Sequence, residues 1–384
     1  MITTDISANL FRGGAEFEAT DRGVRLHRLP AWVRQQYPDA QLLSMESQPS
    51  GVRLSLSTMA TVIELVTHPT RVAYRGADRP RGSVDVTVNG ELFSRDTLDG
   101  GDAMVVDFES GTTSFESGQP HTTLVSALPA GSNRIEIWLP HNESIELVSL
   151  RSDAPIQADN SPAPIWVHHG SSISHGSNAA APTEIWPVVS ARLAGVDLHN
   201  LGFGGSALVD PFMARVIRDS SADFISVKLG INVVNTDAMR LRAFVPAVHG
   251  FLDTIRDGHP TTPIVLISPI FCGIHENTPG PGAVDVSTLG TDHVQFIATG
   301  RPEEVARGAL TLEVIRRELA SLVERRAADT HLHYLDGTSL YGQADALQLP
   351  LPDGLHPGPE AHQRIGERFA ALAFTRGGPF PRTR

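Results

Sequence analysis

The feature that most constrains this chain is a change of hydrophobic period part-way along it. Up to about residue 153, apolar and polar residues alternate in VRLSLST (52–58), TVIELVTH (61–68), SVDVTVNG (83–90), AMVVDFES (103–110), TTLVSAL (122–128) and NRIEIWLPH (133–141), and again in IELVSLRSD. A period of two puts every second side chain on one face, the pattern of a strand with one face buried. Glycine, proline and asparagine turns separate these runs, and no long helical pattern interrupts them. Residues 1–153 are therefore expected to form an antiparallel β-sandwich or jelly roll. The next stretch, APIQADNSPAP (154–164), has the composition of a linker.

From residue 165 the alternation stops. PIWVHH (164–169), VDLHNL (196–201), DFISVKLG (223–230), TPIVLISPI (262–270) and HLHYLDG (331–337) are unbroken apolar runs, as in strands buried on both faces. Helical spacing fills the intervals, in PTEIWPVVSARLAG, DPFMARVIRD, MRLRAFVPAVHGFLDTIRDG, LTLEVIRRELASLVERRAAD and finally GPEAHQRIGERFAALAF. This βαβ alternation predicts an α/β domain over 165–384, a doubly wound parallel sheet of about five strands. Residues 271–308 form a glycine- and proline-rich excursion, and a loop that long within a compact domain is more often functional than idle.

Composition removes several classes of function. A formal charge of −12 and the lack of any basic run argue against a nucleic-acid surface. No apolar stretch reaches the roughly 20 residues of a membrane helix. The first residues show neither the basic nor the apolar region of a secretory signal, and a single cysteine, Cys272, excludes an internal disulfide. A cytoplasmic protein is the expectation.

Ligands of open α/β sheets bind beyond the carboxyl ends of the strands, so what each strand delivers there is the useful test. The first delivers GSSISHG, the second NLGFGGSA and the third LGINVVN; the loop before the last helix is LPDGLHPG. Each is weak alone. A Gly-Ser-Ser turn has the composition of a helix cap. GFGGSA fits a dinucleotide-binding pattern, but that pattern needs an acidic residue closing the following strand, and Asp223 opens it. Together the loops supply a serine, a histidine that could act as its base, a carboxylate three residues from that histidine, and glycine and asparagine donors for an oxyanion.

In these four blocks the chain resembles the SGNH, or GDSL-type, serine esterases and acyltransferases. GSSISHG matches the family's first block and puts the nucleophile on Ser172. NLGFGG matches the second and puts an oxyanion donor on Gly205, with Gly204 the near alternative. GIN matches the third and adds the amide of Asn232. DGLH matches the last, making Asp353 the orienting acid and His356 the base. The resemblance implies an oxyanion hole of the Ser172 N–H, the Gly205 N–H and Asn232, and no metal or nucleotide cofactor. It implies acyl transfer to a hydroxyl of a small molecule (a sugar, glycoside or polyketide-like product) or ester hydrolysis. The partners are then an acyl donor and a hydroxyl acceptor, with no nucleic acid or membrane. Ser171 and Val233 stand where the family usually has aspartate, and these departures keep open a non-catalytic ligand-binding protein with a relict site.

Other residues have plainer expectations. Ser174 and Ser177 cap or line the first helix, His168 and His169 are buried and hydrogen-bonded, and His175 lies nearer the nucleophile. Cys272 and His275 have the spacing of a metal pair but no second pair. Lys228, the only lysine, is expected in an ion pair or with its end at the surface. Trp166 and Trp186 are expected in the core. The N-terminal half resembles, in architecture only, the β-sandwich modules of carbohydrate-active family members. It is expected to be either a rigid scaffold or a substrate-selecting domain.

Overall fold

The computed structural model describes residues 1–14, 16–75, 79–107, 110–288, 291 and 294–381. Phe108 and Glu109 of the strand expected at 103–110 lie outside the described residues, as do 289, 290, 292 and 293 of the excursion and 382–384 of the last domain. The chain divides into two compact units, Met1–Pro162 with Ala181–Thr183, and Ala163–Ala180 with Glu184–Arg384.

In the first unit, two sheets enclose one apolar core. Leu54, Leu56, Val84, Val86, Ile135 and Ile137 from one sheet meet Ile63, Leu65, Leu147 and Leu150 from the other. Burying each such side chain contributes about 1.5–3 kcal/mol. The pairing is not wholly antiparallel as expected. Ile63–Tyr74 and Asp102–Asp107 run parallel, because the chain between them crosses to the other sheet as the hairpin Ser83–Val88 and Glu91–Thr97. The stretch read as a linker carries the strand Ile156–Ala158, which pairs with Arg53–Thr58 while Ile156 packs on the core. Two short helices, Ala31–Gln36 and Ala40–Glu46, are too brief for a helical period to show in the sequence. Asp85, fully buried on the strand Ser83–Val88, is satisfied by two bonds from Arg95 (2.7 and 3.0 Å) and by the Thr183 N–H (3.3 Å) and hydroxyl.

The second unit is the expected doubly wound sheet. Its five parallel strands are Ile165–Gly170, Asp197–Gly202, Phe224–Lys228, Ile264–Ile267 and Leu332–Leu335. In space the second strand lies beside the first, followed by the third, fourth and fifth. The order reverses at the first strand, and a crevice forms at its carboxyl end where neighbouring crossovers leave in opposite directions. Trp166 and Trp186 are core residues, with Trp166 stacked on Phe369 of the last helix, Pro359–Ala373, at 5.1 Å. Among the described residues, no helix is long and apolar enough to cross a membrane.

Candidate active site

The first strand ends at Gly170, and the chain turns at once into the four-residue helix Ser172–His175. Ser171 is its N-cap, accepting from the Ile173 N–H at 3.4 Å, and Gly176 ends it with a left-handed φ of 115°. Ser172 therefore sits at the first helical position, where no earlier carbonyl can take its N–H, and no protein acceptor for it is found among the described residues. The hydroxyl of Ser172 lies 2.9 Å from His356 Nε2, and His356 Nδ1 lies 2.7 Å from Asp353 Oδ2. With Nδ1–H donated to the carboxylate, Nε2 presents its lone pair to the serine hydroxyl.

Asp353 is well prepared for that task. Its Oδ1 accepts from the N–H groups of Leu355 (2.9 Å) and His356 (2.7 Å), and its Oδ2 also accepts from Asn178 Nδ2 at 3.2 Å. Burial works to raise its pKa, but the hydrogen bond and charge of His356 and the two backbone donors outweigh that and hold the carboxyl below its usual range. The 271–308 excursion braces the same loop. It forms the hairpin Gly282–Val284 with Phe296–Ala298, from which the Phe296 N–H donates to Asp353 O at 2.8 Å. The Phe296 ring meets His356 edge-on at 5.7 Å between centroids.

Gly205 and Asn232 stand on the two neighbouring loops. Gly205 is exposed in the turn after the second strand, with φ 72°, and its N–H has no protein acceptor among the described residues. Asn232 lies in the helix Ile231–Asn235, entered through Gly230 at φ 127°; a Cβ there would come within 2.8 Å of Ile315 and Pro269. Its Oδ1 accepts from the Ala207 N–H at 3.1 Å, which ties the glycine loop to the asparagine and leaves Nδ2 as a donor.

A second serine–histidine pair lies below the helix. His168 Nε2 is 2.7 Å from Ser174 Oγ, and His168 Nδ1 is 2.7 Å from Ser226 Oγ, which also accepts from Trp166 Nε1. Both His168 and Ser174 are 0% exposed, and both ring nitrogens of this histidine meet serine hydroxyls and not a carboxylate, so the pair is a structural lock. Burial holds His168 well below its ordinary pKa, and His169, bonded to Leu201 O, is held at about 4. Asn200, the first residue of NLGFGG, adds a further brace by donating to Ser174 O at 3.0 Å. His175 is buried against Gly202 O, and the Ser177 carbonyl accepts from His362. Cys272 donates to Gly354 O and His275 Nδ1 meets Thr278 O; burial pushes the Cys272 thiol up to about 12.

Lys228 departs from expectation. It is 3% exposed and makes no ion pair among the described residues; burial lowers its amine to about 8. The third strand ends inside the fold at this position, so the side chain reaches neither a carboxylate nor open solvent.

Gly202 yields a direct test of how the helix Ser172–His175 is seated. A Cβ at this position would lie 2.6 Å from His175 N and from the Ser174 carbonyl carbon, both backbone atoms that cannot swing aside. Gly202→Ala is expected to destabilise the protein by about 1–3 kcal/mol and to lower kcat more than KM, read from thermal melts and ester turnover. An unchanged melt with full activity would show that the helix moves freely on the sheet.

A serine hydroxyl, an imidazole and a carboxylate joined by hydrogen bonds thus stand at the switch point of an open parallel sheet, an arrangement suited to serine acyl transfer. The chain belongs to the GDSL-like lipase/acylhydrolase family, whose model matches residues 169–364. Among solved structures it is similar to the salicylyl-acyltransferase SsfX3 from a tetracycline biosynthetic pathway, at 27% identity and a TM-score of 0.78 over 96% of this chain and 95% of that one. It shares its fold with a family two carbohydrate esterase from Clostridium thermocellum (15% identity, TM-score 0.58, covering 94% and 97% of the two chains). The same holds for an acetyl xylan esterase from the rumen bacterium Butyrivibrio proteoclasticus (13% identity, TM-score 0.51, covering 97% and 98%). No curated protein sequence matches the chain.

Proposed function

We propose that this protein is a serine acyltransferase that passes an acyl group, through an ester on Ser172, to a hydroxyl of a small molecule. The observation that carries the reading is the hydrogen-bonded series from Ser172 through His356 to Asp353. In this mechanism Ser172 Oγ attacks the carbonyl carbon of the acyl donor while His356 Nε2 takes its proton. The N–H groups of Ser172 and Gly205 and the Asn232 amide hold the oxyanion. His356 then protonates the departing group, and the incoming hydroxyl, deprotonated in turn by His356, releases the acyl group. Similarity to a salicylyl-acyltransferase over nearly the whole chain favours an alcohol over water as the acceptor.

Water must be kept from the acyl-enzyme for transfer to win. The Phe296 ring against His356 is the apolar shield that this unit supplies. Phe296→Ala keeps the N–H that braces Asp353 and removes only the ring. The ratio of hydrolysed to transferred product is then expected to rise several-fold, measured from one acyl donor with a panel of sugar and polyphenol acceptors. Rapid hydrolysis by the unaltered protein, with no acceptor able to shift that ratio, would leave an esterase in place of a transferase.

A further inference from the structure

Two buried acceptors in the second unit converge at the base of the hairpin that carries Phe296. The first belongs to His275, 0% exposed, whose Nδ1 lies 3.1 Å from the Thr278 carbonyl. A carbonyl only accepts, so Nδ1 carries the proton; burial lowers the pKa of this imidazole and keeps the ring neutral. Nε2 therefore presents a lone pair, and no protein donor reaches it among the described residues. The second is Asn235 Oδ1, buried and likewise without a protein donor among the described residues. Asn235 closes the helix Ile231–Asn235, three residues on from Asn232.

Both atoms point to Gly282, the first residue of the strand Gly282–Val284. A Cβ there would lie 2.9 Å from Asn235 Oδ1 and 3.2 Å from His275 Nε2. Gly282 has no left-handed φ, so its backbone would admit any residue, and the bare Cα provides room between two lone pairs. Neither acceptor can serve the other, and buried acceptors without a donor are costly. A water serves both, giving one O–H to each. A metal ion fits less well, since no cluster of three His, Cys, Asp or Glu side chains forms here among the described residues. The two acceptors belong to different parts of the site. Asn235 shares its helix with Asn232, while Gly282 lies in the hairpin whose Phe296 donates to Asp353 O and lays its ring against His356.

We propose that Asn235 and His275 are positioning residues for acyl transfer, and that one internal water seated on Gly282 between them ties the Asn232 helix to the Phe296 hairpin. The purpose of the water rests on the acyl-transfer reading; its detection does not. In the full chain labelled with ¹³C-glycine and ¹⁵N-histidine, the Gly282 Hα should show a cross-peak to a long-lived water, with His275 Nε2 unprotonated. Asn235→Leu deletes one acceptor and should remove the cross-peak while the protein still melts cooperatively. It should also lower kcat by about 10–100-fold with KM unchanged, and raise the ratio of hydrolysed to transferred product, because the oxyanion donor and the hairpin lose their alignment. Asn235→Asp keeps the accepting oxygen and should restore the cross-peak and bring kcat to within about threefold of the unaltered protein. If the Asn235 amide instead turns its Nδ2 directly to His275, no water appears at Gly282 and Asn235→Asp is as impaired as Asn235→Leu. That result, or a kcat and product ratio unmoved in Asn235→Leu, overturns the proposal. Full turnover by Ser172→Ala would end the acyl-transfer reading, and the positioning role with it, while leaving the cross-peak in place.

Discussion

Ser172→Ala is expected to abolish covalent labelling by a fluorophosphonate and to lower ester turnover by about 10⁵-fold or more. Ser171→Ala should leave both within a few-fold of the unaltered protein. The two serines are adjacent but differ in every physical respect that matters. Ser172 Oγ faces His356 Nε2 at 2.9 Å, whereas Ser171 is buried and its hydroxyl caps the helix through a long 3.4 Å bond. Losing that cap costs up to about 1 kcal/mol of stability and no chemistry. A dead Ser171→Ala variant with an active Ser172→Ala would move the register by one residue, and the role given to Gly205 would fall with it. Absence of labelling in the unaltered protein, with no turnover of any short ester, would favour the binding-protein reading that Ser171 and Val233 first suggested.

The second large effect is expected at Asn232. Asn232→Asp preserves the shape of the side chain and an oxygen to accept from the Ala207 N–H, but replaces the Nδ2 donor with an oxygen. An oxyanion would then face a negative charge instead of an N–H, and kcat should fall by about 10²–10³ or more with little change in KM, since the donor acts mainly in the transition state. Asn232→Ala, which also frees Ala207, provides the comparison. An effect on KM alone would make Asn232 a contact to bound substrate in its ground state.

Most of the second unit could be read from the chain because each strand there is buried on both faces and each crossover is a helix with a clear period. The first unit was less legible where its strands are exposed. Thr112–Glu116 is exposed along its whole length, so no alternation marks it, and the parallel pairing of Ile63–Tyr74 with Asp102–Asp107 depends on a crossover that no local pattern announces. In the site, the residues of the four blocks are legible as types at spacings. Their braces are not. Asn178 reaches Asp353 from 175 positions away, and Phe296 reaches the same loop from a hairpin whose register only the folded chain defines. The excursion therefore cannot be shortened as a detachable wall, because its backbone holds the acid. Lys228 departs from expectation for a related reason: its strand position is clear, but whether a carboxylate stands within reach is a property of the packed interior, and among the described residues none pairs with it.

The distance along the chain between Ser172 and His356, 184 residues, has a consequence for synthesis. At translation speeds of about 5–20 residues per second, the serine is made roughly 10–40 s before its histidine partner. During that interval the growing polypeptide carries a hydroxyl of ordinary, weak reactivity. Under the proposed mechanism catalytic competence would switch on only when the last crossover closes, so a stalled or truncated product would consume no acyl donor.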